Sequence, residues 1–200
     1  MPEQTKGVSF QPKILAFAGS TRKDSYNKKL VKVAIAGAQK AGGQVTHVDL
    51  KDYPLPLFDG DLEIESGFPP DAEKLRQLFL THQGLLISAP EYNSSISGVL
   101  KNTIDWLSRQ QPQDGPLACF SDKVAVLMSA SPGALGGLRG LATVRSILGN
   151  IKVLVLPEQI AVGRADQAFN PDGTLKDPQQ QSAVEGLGVR LVEVLRKLKA

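Results

Sequence analysis

Between Gly19 and Asn27 the chain reads Gly-Ser-Thr-Arg-Lys-Asp-Ser-Tyr-Asn, a set of short hydroxyl and amide side chains around one arginine. Those residue types suit an anion. The stretch follows the apolar run over residues 14–18 and precedes Leu30, Ala34, Ala38 and Ala41, which recur at near-helical spacing. A strand, a polar loop and a helix start therefore follow in order. Unpaired N–H groups at a helix start, with the positive end of its dipole, attract an anion before any side chain is counted. Ser20, Thr21, Ser25 and Asn27 add short donors, and Arg22 adds a planar cation matched to phosphate oxygens. The loop has neither the Gly-x-x-x-x-Gly-Lys-Ser/Thr spacing of nucleotide triphosphatases nor the Gly-x-Gly-x-x-Gly spacing of dinucleotide folds. A terminal phosphate is favoured over a triphosphate or pyrophosphate. An ordinary loop with Ser25 or Asn27 as the helix N-cap would use the same residues, so other segments must decide.

The elements around this loop set its position. Five apolar runs, over residues 14–18, 45–50, 85–89, 124–129 and 151–156, contain no internal proline and read as buried parallel strands. Helical stripes lie between and after them: Ala72, Leu75 and Phe79; Leu100, Ile104 and Leu107; Leu138, Leu141, Val144 and Leu148; and Val184, Leu187, Leu191, Leu195 and Leu198. Alternating strands and helices predict an α/β fold, a three-layer α/β/α sandwich on a five-stranded parallel sheet. The expected order is 2-1-3-4-5, flavodoxin-like, with a ligand crevice where the order reverses, outside the carboxyl ends of strands one and three.

Two further loops leave the same end of that sheet. Strand three runs into Pro90, Glu91, Tyr92, Asn93 and Ser94, where successive N–H groups could face the edge of a flat heteroaromatic ligand and Tyr92 could stack. The same residues make a plausible turn, with Asn93 or Ser94 as a helix entry. After strand four come Ser131, Gly133, Gly136 and Gly137, and three glycines permit close backbone approach to a ligand plane. In the predicted topology all three loops line one crevice.

Composition bounds the rest. Two hundred residues, 42% hydrophobic and 22% charged, fit one domain over residues 13–200 behind a loose leader over residues 1–12. The net charge of +3, 23 basic against 20 acidic residues, comes without a block of like charges, and aromatics do not interleave with basic residues, so nucleic acid is not an expected partner. The lone Cys119 cannot form an internal disulfide, and no Cys or His cluster has metal-ligand spacing. Cys119, His47 and His82 read as structural. Nothing resembles a secretion signal or reaches membrane-spanning length, which gives a cytoplasmic expectation and no membrane partner. Two long connections, residues 51–70 and 161–178, invite a binding or assembly role. The first is apolar at Tyr53, Leu55, Leu57 and Phe58, so it should pack near the site, against another subunit, or on its own domain.

Taken together, the phosphate loop, the Pro90 to Ser94 turn, the helix start from Gly98 to Trp106 and the Gly133 to Gly137 loop resemble the NADPH-dependent FMN reductase family of quinone, chromate and azo-dye reductases. The resemblance spans nearly the whole chain from Lys13. It implies an FMN-dependent oxidoreductase with NADPH or NADH as co-substrate, passing a hydride through the flavin to quinones, azo compounds, chromate or free flavin in a ping-pong cycle. Ser20, Arg22, Ser25 and Asn27 match phosphate-holding positions. Pro90, Glu91, Tyr92, Asn93 and Ser94 match the turn bordering the ring system, largely through backbone groups, and Ser131 and Gly133 match the third loop. No catalytic side chain and no metal are implied, since flavin carries the chemistry. A homodimer or homotetramer is expected, with the helix from Gly98 and residues 55–58 as candidate subunit contacts. The alternatives are a flavodoxin-type electron carrier that does not oxidise NAD(P)H, against which the slightly basic charge argues, and a non-redox binder of another phosphorylated ligand.

Overall fold

Strand β1 (Lys13–Ala18) buries every residue after Lys13, and its pleat sends Ile14 and Ala16 to one face of the sheet and Leu15 and Phe17 to the other. The computed structural model describes residues 10–199, so the first nine residues of the expected leader lie outside the described residues. Ile14 and Ala16 pack with Leu30, Val31 and Ala34 of α1 (Tyr26–Lys40) and with Val184 and Leu191 of α7 (Pro178–Lys199). Leu15 and Phe17 pack with Leu75 and Phe79 of α3 (Pro70–Thr81), Leu100 and Ile104 of α4 (Gly98–Leu107), and Leu141 and Val144 of α5 (Leu138–Asn150). Two cores on the two faces of one sheet make the three-layer sandwich.

With β2 (Gln44–Asp49), β3 (Gly84–Ser88), β6 (Val124–Ala130) and β7 (Leu154–Val162), the sheet is parallel throughout and runs β2-β1-β3-β6-β7. This is the expected 2-1-3-4-5 order. The intervening β4 (Glu91–Tyr92) and β5 (Ser95–Ile96) form a separate antiparallel hairpin. Strands β3 and β6 are buried along their whole length, which explains their unbroken apolar sequence.

The fifth strand departs from its expected bounds. Ile151 is the C-cap of α5 and Lys152 turns at φ +69°, so the start of the apolar run over residues 151–156 is spent leaving the helix. The strand instead spans Leu154–Val162 and includes Pro157. An edge position with a bulge tolerates a proline that cannot donate. Ala125 pairs with Val155 and Leu127 with Gln159, leaving residues 156–158 opposite Val126 alone. Arg145 of α5 closes the bulge, donating to the Leu156 carbonyl at 2.8 Å and to Gln159 Oε1 at 2.9 Å.

Both long connections carry structure. The first contains a short 3₁₀ turn (Leu50–Asp52) and α2 (Gly60–Ser66). Its apolar segment packs on its own domain: Asn102 Nδ2 and Trp106 Nε1 donate to the Pro56 carbonyl at 2.9 and 2.8 Å, and Phe58 meets Trp106 edge-on at 5.0 Å. Leu57 points outward, 81% exposed. The second connection holds the end of β7, α6 (Ala165–Ala168), and a bridge between Phe169 and Leu175.

Candidate functional site

The first loop leaves β1 and is pinned at once, because Gly19 N donates to the Ser88 carbonyl at 2.9 Å and the Gly19 carbonyl accepts from Ser97 Oγ at 2.6 Å. Helix α1 then begins after Ser25. Serine at the N-cap ordinarily accepts from an N–H of the first turn, yet Ser25 makes no such bond although it is only 4% exposed. Its hydroxyl and the first-turn N–H groups are thus left for a ligand. No acidic residue sits in that first turn, so the positive end of the dipole is uncompensated. Ser20 is buried to the same degree, and Arg22 is exposed with no ion pair to Asp24 or any other carboxylate among the described residues.

Asn27 behaves differently from its neighbours. Its Oδ1 accepts from Ala130 N at 3.0 Å and from Ser88 Oγ at 2.9 Å, while Nδ2 donates to the Ala130 carbonyl at 2.8 Å. The amide ties α1 to β3 and β6, leaving one amide proton for anything else.

The second loop is a hairpin rather than a helix entry. Asn93 and Ser94 sit at φ +51° and +65°, the left-handed pair that a two-residue turn between antiparallel strands requires. Two such residues cannot start a right-handed helix, so α4 starts later: Ser97 is its N-cap, its Oγ accepting from Leu100 N at 3.3 Å. Tyr92 stands half exposed at 51%. In the third loop Ser131 N donates to the Val162 carbonyl at 3.1 Å, and Ser131 Oγ accepts from Gly133 N at 3.2 Å. The Gly140 N–H, with Arg139, holds the Glu91 carboxyl below the usual glutamate range against the opposing effect of burial.

These loops enclose a cavity of about 120 Å³ at the carboxyl ends of β1, β3 and β6. Ser20, Arg22, Ser25 and Asn27 line it from the first loop, Pro90, Glu91 and Tyr92 from the second, and Ser131 from the third. Asn93, Ser94 and Gly133 do not line it. Tyr26, Ala130 and Pro132 do, and sequence reasoning had not singled them out. Tyr26 lies inside the polar stretch, which was a usable signal; Ala130 and Pro132 contribute only by flanking Ser131. Larger cavities of about 530 and 500 Å³ lie at the amino ends of β3, β6 and β7 and between α1 and α7. The small one is the candidate site, because it joins a helix start, an uncapped serine and a cation with no ion pair among the described residues. It is well below the roughly 300 to 1,000 Å³ of a pocket that swallows a whole small molecule. Its volume suits a phosphate-sized group rather than a flat ring system.

The remaining candidates lie elsewhere. Cys119 is buried, its thiol pushed up to about 11 by that burial, so it stays protonated and inert near neutral pH. His82 is buried far from the loops, with ring nitrogens 2.6 Å from the Leu78 carbonyl and 2.7 Å from Thr46 Oγ1, and His47 is exposed on β2. Among the described residues no helix is long and apolar enough to cross a membrane.

Comparison with known proteins bears on the chain as a whole. The family model described as NADPH-dependent FMN reductase matches residues 12–167. The chain is similar to a probable NADPH:quinone oxidoreductase of Oryza sativa subsp. japonica, 37% identical over 84% of this chain and 80% of that protein. It is also similar to an NAD(P)H-dependent FMN reductase of Pseudomonas aeruginosa, 34% identical over 86% of this chain and 89% of the other. Among solved structures, the flavoenzyme NAD(P)H:(acceptor) oxidoreductase FerB from Paracoccus denitrificans superposes with a TM-score of 0.76 at 26% identity, covering 93% of this chain and 98% of that one.

Proposed function

This chain belongs to the NADPH-dependent FMN reductase family and is an FMN-dependent NAD(P)H oxidoreductase acting on small-molecule acceptors, and we propose that it holds FMN in the crevice at the carboxyl ends of β1, β3 and β6. The observation that carries this placement is the Ser25 N-cap, buried and unused, beside Ser20 and Arg22 in a phosphate-sized cavity.

In this reading the α1 N-terminus, Ser20, Ser25 and Arg22 grip the phosphate. Charge-assisted bonds to an anion are shorter and stronger than neutral ones, so this end supplies retention. Asn27 shapes the cavity wall more than it binds. Pro90 and the hairpin after it set the plane in which the ring system lies. Tyr92 borders that plane. Bound FMN supplies two-electron hydride chemistry, and the protein contributes position, electrostatics and access. Backbone N–H groups of the second loop would border the ring edge, where preorganised donors favour the charge that builds up on reduction, whereas Ser131 N and Gly133 N are already spent on the Val162 carbonyl and Ser131 Oγ. An open rim admits NAD(P)H and then an acceptor to the same face, with quinones first and azo compounds, chromate and free flavin within reach.

Residues 13–200 act as one FMN-binding domain, and the assembly is a homodimer or homotetramer in the cytoplasm. Tyr92, Leu135 and Leu138 at the crevice, 51%, 52% and 47% exposed, and Leu57 beside α4 supply apolar surface for a second copy. Purified protein mixed with FMN should turn yellow, oxidise NADPH or NADH with a quinone, and give parallel double-reciprocal lines as the acceptor is varied. Colourless protein with no NAD(P)H oxidation would overturn the proposal.

A further inference from the structure

Helix α5 begins without a cap of its own. Its N-cap is Gly137, left-handed at φ +93°, and its first turn holds no acidic residue. The missing acceptor comes from the second loop: Glu91 Oε2 accepts from Gly140 N at 2.9 Å, and Oε1 accepts from Arg139 Nε at 3.1 Å and pairs with Nη2 at 3.0 Å. A carboxylate on a first-turn N–H is the arrangement that satisfies an orphan donor and complements the helix dipole. Backbone packing closes the same joint. A Cβ on Gly140 would meet the Ser95 carbonyl at 3.1 Å and Glu91 Cβ at 3.2 Å, and one on Gly137 would collide with Ser129 Oγ.

We propose that Glu91 is a positioning residue: its carboxylate caps α5 from across the crevice and so locks the β4–β5 hairpin to the third loop in the geometry that receives the flat ring of FMN. This rests on the placement of FMN proposed above. The hairpin is then held at both ends, by Glu91 on α5 and by Ser97 on the Gly19 carbonyl. Without the cap, the loop that sets the ring plane and the loop beside it lose their shared anchor. Arg139 is the charged group that faces the carboxylate, and a Glu91 carboxyl held below the usual glutamate range accords with an anion kept by that N–H and that guanidinium.

The test compares wild type with Glu91→Ala and Glu91→Gln. Amide hydrogen exchange is followed in the FMN-free protein, and FMN affinity by quenching of flavin fluorescence. Glu91→Ala should speed exchange at the start of α5 and weaken FMN binding, each by about tenfold. Glu91→Gln, which keeps an acceptor for Gly140 N, should recover most of both. Faster exchange with unchanged FMN affinity would show a cap of purely structural use and overturn the role. Lost affinity with unchanged exchange would mean that Glu91 touches the ligand itself, which also overturns it. Wild-type protein that takes up no FMN would overturn the functional reading and this role with it, a result distinct from wild type and both variants binding FMN equally well.

Discussion

Replacing Asn27 and Ser25 separately by alanine should divide scaffold from binding within one polar stretch. Asn27→Ala strands three buried groups, Ala130 N, the Ala130 carbonyl and Ser88 Oγ, each now satisfied by the amide at 2.8 to 3.0 Å. An unsatisfied buried polar group costs about 1 to 3 kcal/mol. The cavity beside Ala130 can admit water, so the lower figure applies to each and the sum is about 3 kcal/mol. For a chain of this length each kcal/mol moves Tm by about 2 to 4 °C, which predicts a fall of about 6 to 12 °C in the FMN-free protein. Ser25→Ala removes a hydroxyl that caps nothing. Its Tm should change by less than about 2 °C, while the FMN dissociation constant rises about tenfold. Calorimetry of the FMN-free variants and a fluorescence titration with FMN measure the two effects. A Tm for Asn27→Ala within about 2 °C of wild type, with FMN affinity lost, would refute the reasoning, since the amide would then be spent on ligand rather than on the clamp.

Arg22→Ala should weaken FMN retention by about 10- to 100-fold with little change in stability, because a charge-assisted bond to phosphate is lost while no ion pair among the described residues is broken; a titration checks it. His82 should make stability fall as the solution is acidified. Burial lowers its basicity, with Lys123 and Lys13 adding repulsion against the opposing bond to the Leu78 carbonyl, so the folded state keeps it neutral while the unfolded chain takes up a proton below about pH 6.5. Stability from this group is therefore complete above that pH and declines on going down through it. Urea midpoints from pH 7.5 to 5 should show the decline, and His82→Gln should flatten it. Cys119 should resist thiol reagents in the native protein at pH 8 and react only at the rate of unfolding, since burial keeps its thiol protonated. Rapid labelling without loss of structure would contradict that.

Much of this protein was legible in one dimension. The runs that became β1, β3 and β6 are apolar because both faces of those strands are covered, and the stripe Val184, Leu187, Leu191 and Leu195 is buried along α7, although Leu198 at its end is exposed. Burial on a regular element leaves a periodic trace, so fold class and strand order followed. The loop from Gly19 to Asn27 was readable for a similar reason, since strand, polar loop and helix start are all local in sequence. What depended on pairing across distance was not readable. Pro157 entered a strand because β7 lies at the sheet edge and bulges opposite Val126, a fact of neighbours rather than of composition. The hairpin at Asn93 and Ser94 formed because Glu91 and Tyr92 found partners in Ile96 and Ser95.

The site shows the same division. Residue types alone marked Ser20, Arg22, Ser25 and Asn27 as candidate donors to an anion, and the chain order placed them at the carboxyl end of the sheet. Only the tertiary structure decided how each donor is used. Asn27 faces the Ala130 backbone 103 positions away and Glu91 faces Gly140 N 49 positions away, so both side chains are largely committed to scaffold. A hydrogen bond has short reach and a fixed direction, so whether a polar group meets protein or ligand is set by which atoms folding brings within about 3 Å of it, and no local pattern of residues records that.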